Sequence, residues 1–299
     1  MENFILIILC VSLGYLFQKL RVFPRRTPTI LNQFVLYISM PAMILLEIPT
    51  MEFSVHLLIP IIIAWSVMSI TAIMVFYISK YMKFSKEVTG SLMIVTVLGN
   101  TSFLGIPFLS AYYGQESMSY LLVYDQLGTF IALVTYATFI LSYYSGTGET
   151  TLKIIFMKVL TFPPFLSLIV SLLLVGTTFS PMIIHILKSI SATIVPLVLF
   201  AVGLQLKFLI PSEDLKPFAI SSVIKLIIAP LLAFIICYIF GWGDLSAKVS
   251  IMEAAMPSMI TAGAMASMAG LAPRLSTAIV GYGIIFSFGT TSVIYYLLG

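Results

Sequence analysis

The sequence predicts an all-α integral membrane protein with ten transmembrane helices. Of its 299 residues, 60% are hydrophobic and only 9% are charged, whereas soluble domains are about 45–50% apolar and about 25% charged. The mean hydropathy is +1.13, which also excludes a disordered chain because disorder requires low hydrophobicity and high charge. A spanning helix takes about 20 apolar residues, so ten spans leave no room for a soluble catalytic domain.

Ten apolar segments, separated by short polar loops, are the predicted spans. Each is too long and too uniformly apolar for the alternating strands of an outer-membrane barrel. Numbered in order, spans 1 to 10 are residues 3–20, 29–49, 55–79, 88–112, 117–142, 155–176, 182–206, 217–240, 247–269 and 275–298.

The distribution of lysine and arginine predicts the orientation of the spans. Of the 15 basic residues, 12 lie at or near the loops that follow odd-numbered spans, and cytoplasmic loops carry the excess of such residues. Lys188 and Lys248 lie on the opposite side near span ends, and Lys225 lies inside span 8. The N-terminus and the C-terminus are therefore expected outside. Glu47, at the outer end of span 2, is expected to be solvated.

The order of the spans predicts an inverted repeat. A division at the polar loop gives a first five-helix repeat at 1–148 and a second at 149–299, and an odd number of spans per half makes the second insert upside down. Prolines recur at matching places, with Pro41 in span 2 and Pro196 in span 7. Spans 4 and 9 both carry helix-breaking residues. Such repeats are common in secondary transporters.

The breaks in spans 4 and 9 are the predicted binding site. Gly99, Gly105 and Pro107 interrupt span 4, while Pro257 interrupts span 9 and is expected to free the carbonyl of Glu253, four residues earlier. Both breaks fall near the middle of the membrane, where unpaired backbone groups persist only beside a cavity or a partner. Helix N-termini directed at this point favour an anion. The candidate substrate-binding residues are Gly99, Asn100, Thr101, Met256, Pro257 and Ser258.

Three ionisable residues inside the spans are candidates for coupling, because each costs at least about 2.5–3.5 kcal/mol to place in the membrane. Glu253, with Ser102 and Asp125, is expected to hold a coupling ion. Oxygen ligands suit sodium and a buried carboxyl group suits a proton, so both stay open. Lys225 is the expected counter-charge for an anion.

Other chemistries lack the necessary residues. Two histidines and two cysteines offer no metal cluster, and no hydrolase or nucleotide-binding motif is present. We therefore expect no enzyme activity, no cofactor other than a coupling proton or sodium ion, and no certain metal site. The net charge of +4 resides in short loops, so no nucleic-acid partner is expected.

Three motifs resemble the auxin efflux carrier family, whose members include plant auxin exporters and bacterial carriers of malate and malonate. They are Leu31–Ala42 (LNQFVLYISMPA), Gly99–Pro107 (GNTSFLGIP) and Glu253–Pro257 (EAAMP). The resemblance implies a 5+5 inverted repeat with crossing broken helices 4 and 9, a scaffold of spans 1, 2, 6 and 7, and a homodimer. The short loop between the halves is similar to that of the bacterial members. The sodium/bile acid symporters are similar in fold, and their sodium-binding acid corresponds to Glu253.

The sequence thus favours a secondary transporter of small organic anions, such as malate, malonate or auxin-like acids, that works by alternating access. The expected setting is the lipid bilayer of the cell membrane, specifically a bacterial inner membrane. Two alternatives remain at this stage. One is a sodium-coupled carrier of larger anions, and the other is a membrane receptor that binds its ligand without moving it.

Overall fold

The computed structural model describes residues 2–24, 26–51, 54–146, 157, 160–206 and 214–299, and within these ranges the chain is helical without strands. The predicted boundary at residues 148–149 and the start of span 6 lie outside the described residues. The α-helices, numbered here in chain order, are α1 Glu2–Leu20, α2 Thr27–Phe34, α3 Met40–Glu47, α4 Leu58–Tyr81, α5 Lys86–Val95, α6 Gly105–Tyr113, α7 Met118–Val123, α8 Thr138–Ser145, α9 Pro163–Leu173, α10 Pro181–Ser191, α11 Ile194–Gln205, α12 Leu215–Val223, α13 Ala229–Ile239, α14 Leu245–Ala254, α15 Ile260–Met268 and α16 Pro273–Leu298.

Six helical stretches in the described part of the chain are long and apolar enough to cross a membrane, and they coincide with predicted spans 2, 3, 5, 7, 8 and 10. The helices α1 and α9 are shorter apolar helices within spans 1 and 6. Spans 4 and 9 are each divided into two short helices. The prediction of an all-α membrane protein is confirmed, while the ten-span inverted repeat and the outside location of the termini stay predictions. The six stretches are Thr27–Thr50, Val55–Tyr81, Gln115–Ser145, Pro181–Gln205, Leu215–Ile239 and Pro273–Leu298.

The chain folds into two compact units that each draw residues from both halves of the sequence. Unit 1 consists of Met1–Ser54, Ser102–Leu122 and Phe156–Leu206, and unit 2 consists of Val55–Thr101, Val123–Ile155 and Lys207–Gly299.

Unit 1 brings α1 and α11 into close backbone contact through two glycines. A Cβ on Gly203 would lie 2.2 Å from the carbonyl oxygen of Val11, and one on Gly14 would lie 2.3 Å from that of Phe200. Small residues at such contacts let helices approach closely, which is how apolar helices pack inside lipid. The side chain of Gln18 fixes the register because its Nε2 donates to the carbonyl of Leu204 at 3.0 Å.

Wide π-helical turns interrupt several helices, and proline explains two of them. The turns Val35–Ser39 and Ile224–Ile228 each end two residues before a proline, Pro41 and Pro230. A proline ring displaces the carbonyl four residues earlier, and in both cases that carbonyl belongs to the π turn. Such turns are frequent at functional sites.

The longest π turn, Tyr124–Phe130, contains no proline, and its cause is a side chain from α4. The indole Nε1 of Trp65 donates to the carbonyl of Leu127 at 3.1 Å, which draws that carbonyl away from the helical ladder. Gly128 allows the approach, since a Cβ there would lie 2.6 Å from the Cβ of Ala64.

Hydroxyl pairs tie α5 to its neighbours in unit 2. Ser91 pairs with Ser276 of α16 at 2.8 Å, and Thr96, which follows α5, pairs with Ser221 of α12 at 2.7 Å. All four side chains are buried. Hydrogen bonds between helices of this kind are worth about 0.6 kcal/mol on average in a membrane, so their role is chiefly to fix the position of α5.

The close contact of α1 with α11 makes a stability prediction. Gly203→Ala should lower the thermal unfolding temperature of the purified protein, because overpacking typically costs about 1–3 kcal/mol. Gly289→Ala in α16 is the matched control, since a Cβ there meets nothing within 4 Å. That variant should unfold at the same or a slightly higher temperature, because alanine favours a helix by about 1 kcal/mol over glycine. Equal unfolding temperatures for the two variants would contradict the packing argument.

Candidate functional site

Span 4 is broken over the residues that separate α5 from α6. The helix α5 ends at Val95, and regular helix resumes at Gly105. Asn100 and Thr101 lie in the break with about 1% of their surface exposed, and Gly99 beside them is also buried. The break therefore places a carboxamide and a hydroxyl group in the protein interior, at residues that an apolar span would not otherwise bury.

Span 9 is broken in the same manner. The helix α14 ends at Ala254 and α15 begins at Ile260. Met256, Pro257 and Ser258 lie between them and are buried. Pro257 has no backbone N–H and cannot continue the ladder of α14, which explains why the helix ends here.

The two breaks satisfy each other's backbone groups. The N–H of Asn100 donates to the carbonyl of Pro257 at 2.7 Å, and the N–H of Met259 donates to the carbonyl of Leu98 at 3.0 Å. Gly99 and Ser258 lie opposite each other in this short antiparallel pairing. The breaks in spans 4 and 9 therefore meet within unit 2 at a fixed register.

One expectation about this region is wrong. Pro257 does not leave the carbonyl of Glu253 free, because the N–H of Met256 donates to it at 3.1 Å. The last turn of α14 tightens so that the bond spans three residues rather than four, as helix ends commonly do. Glu253 therefore offers its carboxyl group alone to a ligand.

Asp125 lies in the π turn Tyr124–Phe130 and is fully engaged by hydrogen bonds. Its Oδ1 accepts from the hydroxyl of Thr101 at 2.5 Å, and its Oδ2 accepts from Nε2 of Gln126 at 2.7 Å. All three side chains are at most 2% exposed. The arrangement holds a carboxylate at the span 4 break, with Thr101 serving as its donor.

Glu253 presents the opposite situation in the last turn of α14. Its side chain is 0% exposed, and neither carboxyl oxygen finds a hydrogen-bond partner among the described residues. Glu253 lies within Coulombic range of Lys225, which attracts it, and of Asp125, which repels it. A buried, unpaired carboxylate is costly, so this group marks a position where a proton or a ligand is required.

Lys225 extends from the π turn Ile224–Ile228 to the span 4 break. A Cβ placed on Gly99 would lie 3.0 Å from Nζ of Lys225, so the ammonium group lies directly against the backbone of the break. The side chain is 5% exposed. The cluster thus combines two acids, Asp125 and Glu253, with one lysine.

Two amide groups beside these charges have unused hydrogen-bonding atoms. Within the described ranges, Nδ2 of Asn100 and Oε1 of Gln126 are buried without a partner. A buried polar atom without a partner costs about 1–3 kcal/mol. Asn100 offers an unused donor and Gln126 an unused acceptor, so the cluster can bind a ligand that carries either an acceptor or a donor.

The remaining predicted residues lie in unit 1. Ser102 is half-buried and its carbonyl accepts from the N–H of Ile106 at 3.2 Å. Gly105 and Pro107 form the first turn of α6. Pro41 is the second residue of α3, which directly follows a π turn, and Pro196 is the third residue of α11, which begins three residues after the last residue of α10.

Pro41 and Pro196 flank a contact inside unit 1 that sequence reasoning did not anticipate. The hydroxyl groups of Ser39 and Thr193, just before these prolines, are 2.8 Å apart. In unit 2, Gln126 was also missed. Its signal in the sequence was an amide next to an acid inside an apolar run.

No group of three or more histidine, cysteine, aspartate or glutamate side chains is placed to hold a metal ion in the portion of the chain that is described.

Comparison with known proteins gives consistent matches along the chain. A family model described as "Membrane transport protein" matches residues 1–295. An uncharacterized transporter of Methanocaldococcus jannaschii is 28% identical over 270 residues, which cover 86% of this chain and 85% of the relative. An uncharacterized transporter of Methanothermobacter thermautotrophicus is 26% identical over 277 residues, covering 89% and 87%.

The bond between Thr101 and Asp125 predicts a specific loss. Thr101→Val keeps the shape of the side chain but leaves Oδ1 of Asp125 without its donor, which should lower the free energy of unfolding by about 1–3 kcal/mol. Thr135→Val is the control, because the hydroxyl of Thr135 donates only to the carbonyl of Ile131 in its own helix. Denaturant unfolding of both variants measures the difference. If Thr101→Val loses no more unfolding free energy than the control, the hydrogen bond from Thr101 to Asp125 does not stabilise the break.

Proposed function

Since the chain belongs to the membrane transport protein family, the auxin efflux carrier family, we propose that it is a secondary active transporter of small organic anions. Mono- and dicarboxylates such as malate and malonate are the proposed substrates. The chain is a multi-pass membrane protein of a transporter family rather than an enzyme family. The proposed setting is the lipid bilayer of the cell membrane.

The observation that carries the proposal is the pairing of two broken helices around polar groups that lack partners. Nδ2 of Asn100 and both carboxyl oxygens of Glu253 are buried and unpaired in the described structure, and both residues lie at or next to the paired breaks. Such groups persist at membrane depth where they meet a ligand or line its path.

Asn100 and Lys225 are the proposed ligands of the substrate carboxylate. Nδ2 of Asn100 donates a hydrogen bond, and the ammonium group of Lys225, which reaches Gly99, supplies the opposite charge. Asp125 is already engaged by Thr101 and Gln126, so it fixes the break rather than competing for substrate. Met256, Pro257 and Ser258 form the facing wall.

Charge counting explains how an ion is coupled to the substrate. Asp125, Glu253 and Lys225 together carry one net negative charge when all are ionised. A substrate carboxylate adds a second negative charge next to Glu253, and like charges in a buried site disfavour one another. A proton on Glu253 removes that repulsion, so substrate and proton each favour the binding of the other. We propose anion–proton symport on this basis.

Alternating access is proposed on an inverted 5+5 repeat with both termini outside. Two features support the symmetry. The breaks fall in the fourth span of each half, and the contact between Ser39 and Thr193 joins the second span of each half. Spans 1, 2, 6 and 7 would form the scaffold, and a homodimer is the proposed assembly.

Removal of the Asn100 amide tests the binding site. Asn100→Ala should slow uptake of labelled malate and malonate into proteoliposomes by about 5- to 150-fold at low substrate concentration, because the lost hydrogen bond costs about 1–3 kcal/mol. The unfolding temperature should stay unchanged, since Nδ2 has no partner to lose in the described protein. Asn32→Ala in α2 is the control and should transport normally. Normal transport by Asn100→Ala would contradict the site.

Glu253→Gln tests the coupling. Glutamine imitates the protonated carboxyl group, so counterflow exchange of substrate should persist while accumulation driven by an imposed pH gradient is lost. Persistent exchange also separates a carrier from a receptor that only binds. If accumulation by the unmodified protein depends on sodium, and accumulation by Glu253→Gln does not, the coupling ion is sodium rather than a proton. Unaltered accumulation and pH response would remove Glu253 from the mechanism.

A further inference from the structure

Unit 1 contains a cavity of about 670 Å³, and its lining residues include none of the cluster around Glu253. The cavity lies at the C-terminal end of α3, between α6, α10 and α11, and all of its lining residues belong to unit 1. Its volume falls in the range of about 300–1,000 Å³ that is usual for small-molecule sites. We call it the unit 1 cavity.

The walls of the unit 1 cavity are mostly apolar. Met43 and Leu46 of α3, Ile106 of α6, Phe179 and Val195 contribute to this surface. An apolar lining with few polar groups is typical of sites that bind small organic molecules. The apolar part of the lining suits a ligand with a hydrocarbon or aromatic portion.

Two opposite charges face the same cavity without joining. Glu47 and Lys188 both line it, and the lysine attracts the carboxylate electrostatically. They form no direct ion pair, whereas His56 and Asp244 elsewhere in the described chain do. Lys188 is exposed, so its ammonium group is accessible to a ligand at the edge of the cavity.

A second contact holds the carboxylate in place. Nε2 of Gln115 donates to Oε1 of Glu47 at 2.6 Å, so one oxygen is fixed and Oε2 is left to receive another donor. Glu47 is half-buried, so its carboxylate keeps part of the solvent contact that the sequence predicts. The carboxylate of Glu47 is thus held in place at the edge of the cavity and can accept a further hydrogen bond.

The charge pattern selects a class of ligand. A simple carboxylate would be attracted by Lys188 and repelled by Glu47, and a simple amine would experience the reverse. A molecule that carries an ammonium and a carboxylate group on the same carbon satisfies both side chains at once. We propose that the unit 1 cavity binds a zwitterionic amino acid with an apolar side chain, its ammonium group at Glu47 and its carboxylate at Lys188.

The proposal concerns a site distinct from that of organic-anion transport and does not depend on it. Its polar anchors come from α3 and α10, while Asn100 and Glu253 belong to unit 2. An amino acid bound here would occupy the scaffold predicted from spans 1, 2, 6 and 7, either as a regulator or as a second transported compound.

Three ligands that share a phenylethyl group test the proposal on the unmodified protein. Equilibrium binding is measured for labelled L-phenylalanine, with hydrocinnamate, which lacks the amine, and phenethylamine, which lacks the carboxylate, as competitors. We expect L-phenylalanine to bind at least about tenfold more tightly than either, since a charge-assisted hydrogen bond is worth about 1.5–3 kcal/mol. Hydrocinnamate binding as tightly as L-phenylalanine, or no binding of L-phenylalanine, would overturn the proposal.

Three variants locate the bound ligand. Lys188→Met and Glu47→Gln should each weaken L-phenylalanine binding by about tenfold or more. Lys19→Met in α1 is the matched control and should bind as the unmodified protein does, because Lys19 does not line the cavity and instead lies over the ring of Tyr15. Thermal unfolding verifies that each variant is folded. Undiminished binding by Lys188→Met or by Glu47→Gln would overturn the assignment to the unit 1 cavity.

Discussion

Unit 2 is organised by two backbone hydrogen bonds, from Asn100 to Pro257 and from Met259 to Leu98. Each helix break exposes peptide groups that lipid cannot satisfy, at a cost of several kcal/mol per group. Breaks that pair with each other remove part of that cost, so each break stabilises the other. The interruption of α5 and the end of α14 are therefore one structural feature, although they are encoded more than 150 residues apart.

The paired breaks also determine where charge is buried. Asn100 and Thr101 are buried where the backbone at Gly99 pairs with Ser258, and Thr101 then holds Asp125. Lys225 approaches the same glycine from a π turn. Such turns widen the helix locally and leave space for polar side chains. Irregular backbone thus concentrates the polar groups of unit 2 at one place, while the helices around it remain apolar.

The sequence was sufficient to predict an all-α membrane protein and to single out Glu253, Asp125 and Lys225 as ionisable residues inside apolar runs. Burying a charge in an apolar run is costly enough to be visible without coordinates. The sequence did not show which polar groups of Glu253 lack a partner. Pro257 interrupts the α-helical hydrogen bonds, but it does not specify the shorter-range bond from the N–H of Met256 to the carbonyl of Glu253. The unit 1 cavity was missed for a related reason. Glu47 and Lys188 lie far apart in sequence, and only tertiary packing brings them to one surface.

The pattern of paired and unpaired groups favours a moving ligand over a purely structural role for the cluster. A buried network that exists only for stability gains most when every member is satisfied. Asp125 meets that condition, since both of its oxygens accept hydrogen bonds. Glu253 and Asn100, in the same described cluster, do not. One carboxylate therefore fixes the geometry of the break while the other retains open coordination, and this division is what a site that repeatedly binds and releases a proton and an anion requires.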